Sequence, residues 1–338
     1  MYKNYLIAFI TIFLFYSCDK HNNTYEINGF TMGTTYSVKI IENALDSSKV
    51  RSHIDSILDS INMDMSTYIE SSSISEFNDY NIGRKYPISN DFHKVLVSSK
   101  YFSKLTGGAF DITVNPLVKL WGFSKKSLER LPRENEIKQI LKTIGMDNLI
   151  IGEDSWISKK NEVTIDLSAI AKGYAVDKIS EYLTNLNMKN HMVEIGGEVR
   201  VSGLNIDNNK WQIGIQYPSF QRSSNKTVYS DINPHTVIKI SDISIATSGD
   251  YRNYFNFKGR RYSHIISPKT GYPVENKIIS VSVISKECLN ADALATALIV
   301  MDIQDGIDLI EQLDGYESFF ILEDNSTHYT SGIKDFLH

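Results

Sequence analysis

What the chain lacks narrows it first. Only two cysteines occur among 338 residues, Cys18 and Cys288, too few for a disulfide framework to hold the fold together. Lys and Arg number 35 against 40 Asp and Glu, a formal net charge of −5. That balance leaves no basic footprint for sequence-independent nucleic-acid binding, so nucleic acid is not an expected partner. The apolar run near the start, LIAFITIFLFY (Leu6 to Tyr16), is too short to span a bilayer. No long Pro/Ser/Gly linker, repeat or low-complexity block interrupts the remainder of the chain.

What is present is ordinary globular material: 42% hydrophobic and 22% charged residues, enough for one large or two smaller cores. The apolar run stands after Lys3 and leads at once into Ser17-Cys18, which looks like a bacterial lipoprotein signal with Phe15 where a leucine usually stands three residues before the cysteine. On that reading residues 1–17 are a signal peptide. Diacylation of Cys18 would anchor the protein to the periplasmic side of a membrane. Residues 18–27 are then a polar tether and residues 28–338 a single domain. Cys288, in SKECLNADAL, reads as a small buried residue, since no histidine stands in its local sequence to activate a thiol.

Hydrophobic periodicity predicts helices over DSSKVRSHIDSILDSI, SNDFHKVLVSSKYFSKLTGG with Ser89 as cap, RENEIKQILKTIG and LSAIAKGYAVDKISEYLTNL. Strand-like runs are TYSVKII, EVTIDL, HMVEIGGEVRVSG, KWQIGIQY, TVIKISDISIATSG and IISVSVIS, with hairpins in YFNFKGRRYSHII and SFFILEDNSTHYT. Strands and helices mix without a regular βαβ alternation. The expected class is α+β: a single two-lobed domain with mixed or antiparallel sheets and packed helices.

Three segments carry chemistry, and a fourth frames them. TGGAFDITVNPLVKLWGF, Thr106 to Phe123, sets a glycine pair and a lone Asp111 into an apolar run, which suits the wall of a site better than a packing element. TIDLSAIAKGYAVD places Asp166 at a strand exit, with Ser168, Ala169, Lys172 and Gly173 in the first helical turns. Free amides and a lysine there suit a phosphate, and equally a simple helix cap. In NADALATALIVM, Asp292 and Thr296 are i and i+4. They offer a carboxylate and a hydroxyl to one hard cation, or an Asp that merely stabilises its helix. YSHIISPKTGYP sets His264 beside a turn rich in hydroxyls and amides.

Taken in order, FTMGTTYSV, DMSTYIESSSISEFN, TGGAFDITVNPLVKLWGF, IDLSAIAKGYAVD, VEIGGEVRVSG, IATSGDYRNYF, HIISPKTGYPV and ADALATAL resemble the motifs of the ApbE family, flavin transferases that act on proteins outside the cytoplasm. The resemblance covers almost the whole mature chain and implies the family's T-fold-like architecture. It implies that Met32, Tyr68, Ala109, Phe110, Asp111, Asp166, Lys172 and Ile265 line the site for FAD, the substrate. It also implies that Asp292, Thr296 and the carbonyl of Ala169 hold Mg²⁺. The implied reaction moves FMN from FAD onto a threonine hydroxyl of a partner protein and releases AMP. Such acceptors are electron-transport subunits with a Ser/Asp-Gly-Ala/Ser-Thr-like motif. A threonine hydroxyl is a weak nucleophile, and His264 is the natural base. Relatives often carry Asp or Asn at the place of Ser267, so no family role passes to it. An FAD pyrophosphatase with water as acceptor and a flavin-binding lipoprotein without turnover are the alternative readings.

Overall fold

The structure, a computed structural model, describes residues 22–123, 130–216, 219–223, 226–230, 234–249 and 254–337. The expected signal peptide and Cys18 lie outside the described residues. An eight-stranded sheet organises the rest. Its strands are β1 (Asn23–Thr31), β2 (Thr34–Glu42), β3 (His191–Ile195), β4 (Glu198–Ser202), β5 (Ile243–Gly249), β6 (Ile278–Ser285), β7 (Glu317–Leu322) and β8 (Thr327–Tyr329). Their spatial order is their chain order, and each pairs antiparallel with the next. The other described elements are inserted between consecutive strands, except a short helical turn, Ser331–Asp335, that follows β8.

Four long helices matter for the site: α1 (Ser47–Met65), α2 (Asn90–Leu105), α3 (Ala171–Asn185) and α4 (Cys288–Val300). Side-chain oxygens of Asp46 and Ser89 cap α1 and α2 by accepting from Lys49 N and Phe92 N. α4 is apolar on nearly every side, which fits its burial in the core.

Both faces of the sheet are covered. On one, Val193 and Ile195 of β3, Ala246 of β5 and Val281 and Val283 of β6 share a core with Tyr174 and Ile179 of α3 and Leu294 and Leu298 of α4. On the other, Val199, Val201, Ile245 and Ile321 pack with Trp211, Ile215, Ile238 and Ile240 from the paired strands Trp211–Gln216 and Pro234–Ile240. The period-2 pleat has one consequence for chemistry. With Val199 and Val201 turned to the second face, Glu198 and Arg200 of β4 meet α3 instead, pairing with Lys172 and Asp177. A smaller core of Leu117, Trp121, Ile137, Ile144, Tyr262 and Ile266 carries the second lobe.

The α+β expectation holds, and every strand pairing among the described residues is antiparallel. Three details differ. β1 begins at Asn23, so the second half of the expected 18–27 tether belongs to the sheet. EVTIDL is extended and buried at Val163, Ile165 and Leu167 but joins no sheet. The Asn78 side chain takes the place of a neighbouring strand, accepting from Ile165 N at 2.7 Å and donating to Ile165 O at 2.9 Å. The helix expected from Leu167 starts only at Ala171, because residues 168–170 form a turn.

Candidate functional site

A cavity of about 620 Å³ opens between the two lobes, and it gathers residues far apart in the sequence. Its wall includes Tyr68, from the loop after α1, and Ala109, Phe110 and Asp111, from the segment after α2. Asp166, Ala169 and Lys172 come from the approach to α3, His264 and Ile265 from the turn before β6, and Asp292 and Thr296 from α4. Of the described residues expected at the site only Met32 is elsewhere. Met32 lines an adjoining cavity of about 560 Å³, which shares Thr67, Tyr68, Ser168 and Lys172 with the first. It sits with Gly33 in the two-residue β1–β2 turn, both at positive φ (49 and 74°), as a type I′ hairpin requires.

The segment after α2 is built around its glycines. Gly108 N donates to Ser103 O at 2.7 Å and Gly107 N to Lys104 O at 3.2 Å, both glycines at positive φ (83 and 56°). This is a Schellman ending of α2. The pair therefore turns the chain, while the next residues, Ala109 to Asp111, form the wall. Oδ1 of Asp111 accepts from Thr113 N at 2.8 Å and Thr113 Oγ1 at 2.6 Å. Burial pushes the Asp111 carboxyl above its ordinary value, against those bonds.

Asp166 caps the turn before α3, accepting from Ser168 N at 2.8 Å and from the Ser168 hydroxyl. The free-amide reading of the α3 N-terminus needs correction. Gly173 N donates at 2.9 Å to Oδ2 of Asp292, so a protein carboxylate occupies that donor. Gly173 also explains itself here: a Cβ would lie 2.4 Å from Cys288 O and 2.8 Å from Asp292 Cβ. Close approach of α4 is what requires a glycine inside this helix.

Lys172 Nζ lies 2.5 Å from Oε1 of Glu198, a residue 2% exposed at the start of β4. Sequence reading missed Glu198. Its signal was its place just after the Gly-Gly turn of VEIGGEV, where one extra carboxylate among apolar residues was visible but had no known partner.

Asp292 is 2% exposed. Its Oδ2 is taken by Gly173, whereas Oδ1 has no hydrogen bond among the described residues and the residue lines the cavity. One turn on, Thr296 Oγ1 lies 3.1 Å from Ser248 Oγ of β5. No group of three His, Cys, Asp or Glu residues capable of holding a metal occurs among the described residues. A lone buried carboxylate with hydroxyls beside it suits a hard cation that brings anionic ligands of its own, and Mg²⁺ with phosphate fits that description. Zinc and copper would call for imidazole or thiolate donors, which Asp292, Thr296 and Ser248 do not supply, whereas Mn²⁺ accepts the same oxygen donors as Mg²⁺.

His264 reaches the cavity from the turn after Arg260–Ser263, with its ring edge-on to Phe123 at 6.3 Å between centroids. The turn is internally tied. Gly271 N donates to Ser267 O at 2.8 Å, Ser267 N to Tyr272 O at 2.9 Å and Thr270 N to Ser267 Oγ at 3.3 Å. Trp121 Nε1 donates to Gly271 O at 2.8 Å. Ser267 thus has a structural role, holding the loop that presents His264. Cys288 is fully buried with its thiol pushed well above the ordinary value by burial, which fits a packing residue.

The arrangement can hold a long anionic ligand across two adjoining cavities, with Lys172 on the wall they share and the oxygens of Asp292 and Thr296 and the His264 imidazole on the wall of the first. Comparison with known proteins agrees. The ApbE family model matches residues 32–320. The chain is 39% identical over 312 residues to the FAD:protein FMN transferase of Vibrio cholerae, covering 91% of each. It is 37% identical over 305 residues to that of Haemophilus influenzae, covering 88% of this chain and 86% of the relative. The fold is similar to the solved flavin transferase ApbE from Vibrio cholerae, with a TM-score of 0.82 at 37% identity, covering 94% of this chain and all of that one. It is similar also to the ApbE protein of Thermotoga maritima, with a TM-score of 0.84 at 30% identity and the same coverage.

Proposed function

Because the chain belongs to the ApbE family, we propose that it is an FAD:protein FMN transferase. It moves FMN from FAD to a threonine hydroxyl of a partner protein. One observation carries the reading: Lys172, Asp292, Thr296 and His264, drawn from separate parts of the chain, line one cavity.

In the proposed reaction the threonine oxygen attacks the phosphorus of the FMN half of the pyrophosphate. A new phosphoester bond forms, the bond to the bridging oxygen breaks, and AMP leaves with that oxygen. His264 takes the hydroxyl proton. Lys172 lies where it can meet negative charge on the phosphates, and Glu198 beneath it fixes its position. Asp292, Thr296 and the Ala169 carbonyl would hold Mg²⁺, which when bound supplies positive charge to the pyrophosphate oxygens. Ala109, Phe110 and Ile265 supply apolar wall for the dinucleotide, and Tyr68 and Met32 extend it into the second cavity.

The acceptor is proposed to be an electron-transport protein with a Ser/Asp-Gly-Ala/Ser-Thr-like segment. The enzyme is proposed to work on the periplasmic side of a membrane, anchored through lipid on Cys18. No described helix is long and apolar enough to cross a membrane. The decisive experiment incubates the protein with FAD, Mg²⁺ and candidate acceptors and looks by mass for FMN on threonine. Release of FMN and AMP at full rate, with every acceptor unmodified, would replace transfer by hydrolysis.

A further inference from the structure

α4 begins without a cap of its own. Its N-cap residue, Glu287, is extended (φ −109°, ψ 134°) and makes no side-chain capping bond. The first amides are taken instead by a residue of another helix: Cys288 N donates to Oδ1 of Asp177 and Leu289 N to Oδ2, both at 2.9 Å. Asp177 lies on α3, is 3% exposed, and also meets Arg200 of β4 at 2.5 Å.

A second link runs in the opposite sense. Gly173, one turn before Asp177 on α3, gives its amide to Asp292, one turn after Cys288 on α4. Each helix thus offers a carboxylate to the backbone amides of the other, at i and i+4 on both. The sheet reads the same register, since Glu198 and Arg200, two apart on β4, hold Lys172 and Asp177 of α3. Any slide of α4 along α3 would break both amide–carboxylate links together. Asp177 itself is absent from both cavity walls.

We infer that Asp177 is the positioning residue of the metal site: it fixes α4 against α3 and β4, and so sets where Asp292 and Thr296 stand relative to Lys172. The inference rests on the metal assignment proposed above. Asparagine is close to isosteric with aspartate, yet its single carbonyl oxygen cannot accept from two amides and a guanidinium. The link, rather than the packing, is what Asp177→Asn removes.

The test uses the full chain with FAD. Binding of Mn²⁺, monitored by its EPR signal, is measured beside the Mg²⁺ concentration needed for half-maximal FMN transfer. Asp177→Asn is expected to weaken both by roughly 10–100-fold, as loss of a group supporting metal ligands typically does, with FAD affinity little changed. Asp177→Asn combined with Glu287→Ser gives α4 a cap of its own without the tie to α3 and Arg200. Melting temperature is expected to recover in that variant while metal binding stays weak. If metal binding recovers as well, Asp177 is only a helix cap and the inference falls. Arg200→Met, which leaves the cap in place, serves if Asp177→Asn fails to fold. It is expected to weaken metal binding in the same direction, and unchanged binding there also overturns the inference. A wild type that binds no Mn²⁺ overturns the metal assignment and this inference with it, whereas equal binding by wild type and folded variants overturns this inference alone.

Discussion

The amide of Gly173 and the carboxylate of Asp292 meet at 2.9 Å, so the helix that presents Lys172 touches the helix of the proposed metal ligands at the ligand itself. Backbone packing and site chemistry are one contact here.

Gly173→Ala inverts the usual effect of this substitution. In a free helix interior it would stabilise by about 1 kcal/mol, but here the new Cβ would meet Cys288 O at 2.4 Å. Overpacking against backbone costs about 1–3 kcal/mol, and the displaced helix carries Asp292 with it. A lower melting temperature together with a raised Mg²⁺ requirement is expected. A melting temperature at or above wild type would show that the two helices are not in close contact.

Asp292→Ala removes the only carboxylate proposed to bind the metal. Transfer should fall severely at ordinary Mg²⁺ concentrations while part of the FAD binding survives. Near-normal rates in a folded variant would move the metal position elsewhere.

His264→Ala should slow transfer by roughly the 10²–10⁴-fold typical of a lost general base, with FAD affinity and melting temperature nearly unchanged. A parallel loss of affinity, stability and rate would instead assign His264 to holding the Ser267–Gly271 turn.

A pH effect on stability is expected from a histidine outside the site. His191 is fully buried, its Nδ1 2.7 Å from Met188 O and its Nε2 2.8 Å from Ser180 Oγ. The carbonyl can only accept, so Nδ1 carries the proton and Nε2 accepts from the serine. Burial lowers its pKa from the ordinary 6.5. With the folded value below the unfolded one, the unfolded chain takes up the proton first. Stability is therefore full above that ordinary value and falls as pH drops below it, until the folded pKa is also passed. His191→Gln should flatten the melting temperature between about pH 7 and 5, and an unchanged slope would exclude His191 as its source.

The residues that gather at the cavity were legible where chemistry and spacing coincide. Asp292 and Thr296, one turn apart, and His264, beside its Ser-Pro-Lys-Thr-Gly turn, were named from their motifs and line one cavity. What periodicity cannot carry is the partner across space. EVTIDL has the alternation of a strand, yet the group that satisfies it is a side chain, Asn78, distant in sequence. Gly173 stood in the sequence only as a glycine in the first helical turns, and the structure gives its reason, the close approach of α4. Gly107 and Gly108 pointed to special backbone, which ends α2 before the cavity wall begins. Glu198 and Asp177 stayed hidden because a buried carboxylate declares its role only through the cation or amides that hold it.

The sheet whose strands succeed one another in chain order also sets the sequence of events by which the protein comes together. The β1–β2 hairpin closes locally through Met32 and Gly33, but pairing β2 with β3 closes a loop spanning residues 43–190, and contacts so far apart in sequence slow folding. Tyr68, Asp111 and Asp166 arrive with that insertion, whereas His264, Asp292 and Thr296 arrive with the final third of the chain. A chain that ends before α4 lacks Asp292 and Thr296 and so has no complete cavity wall. The parts of the wall made early in synthesis therefore wait for α4, and the cavity closes around both sets only once that helix has been made.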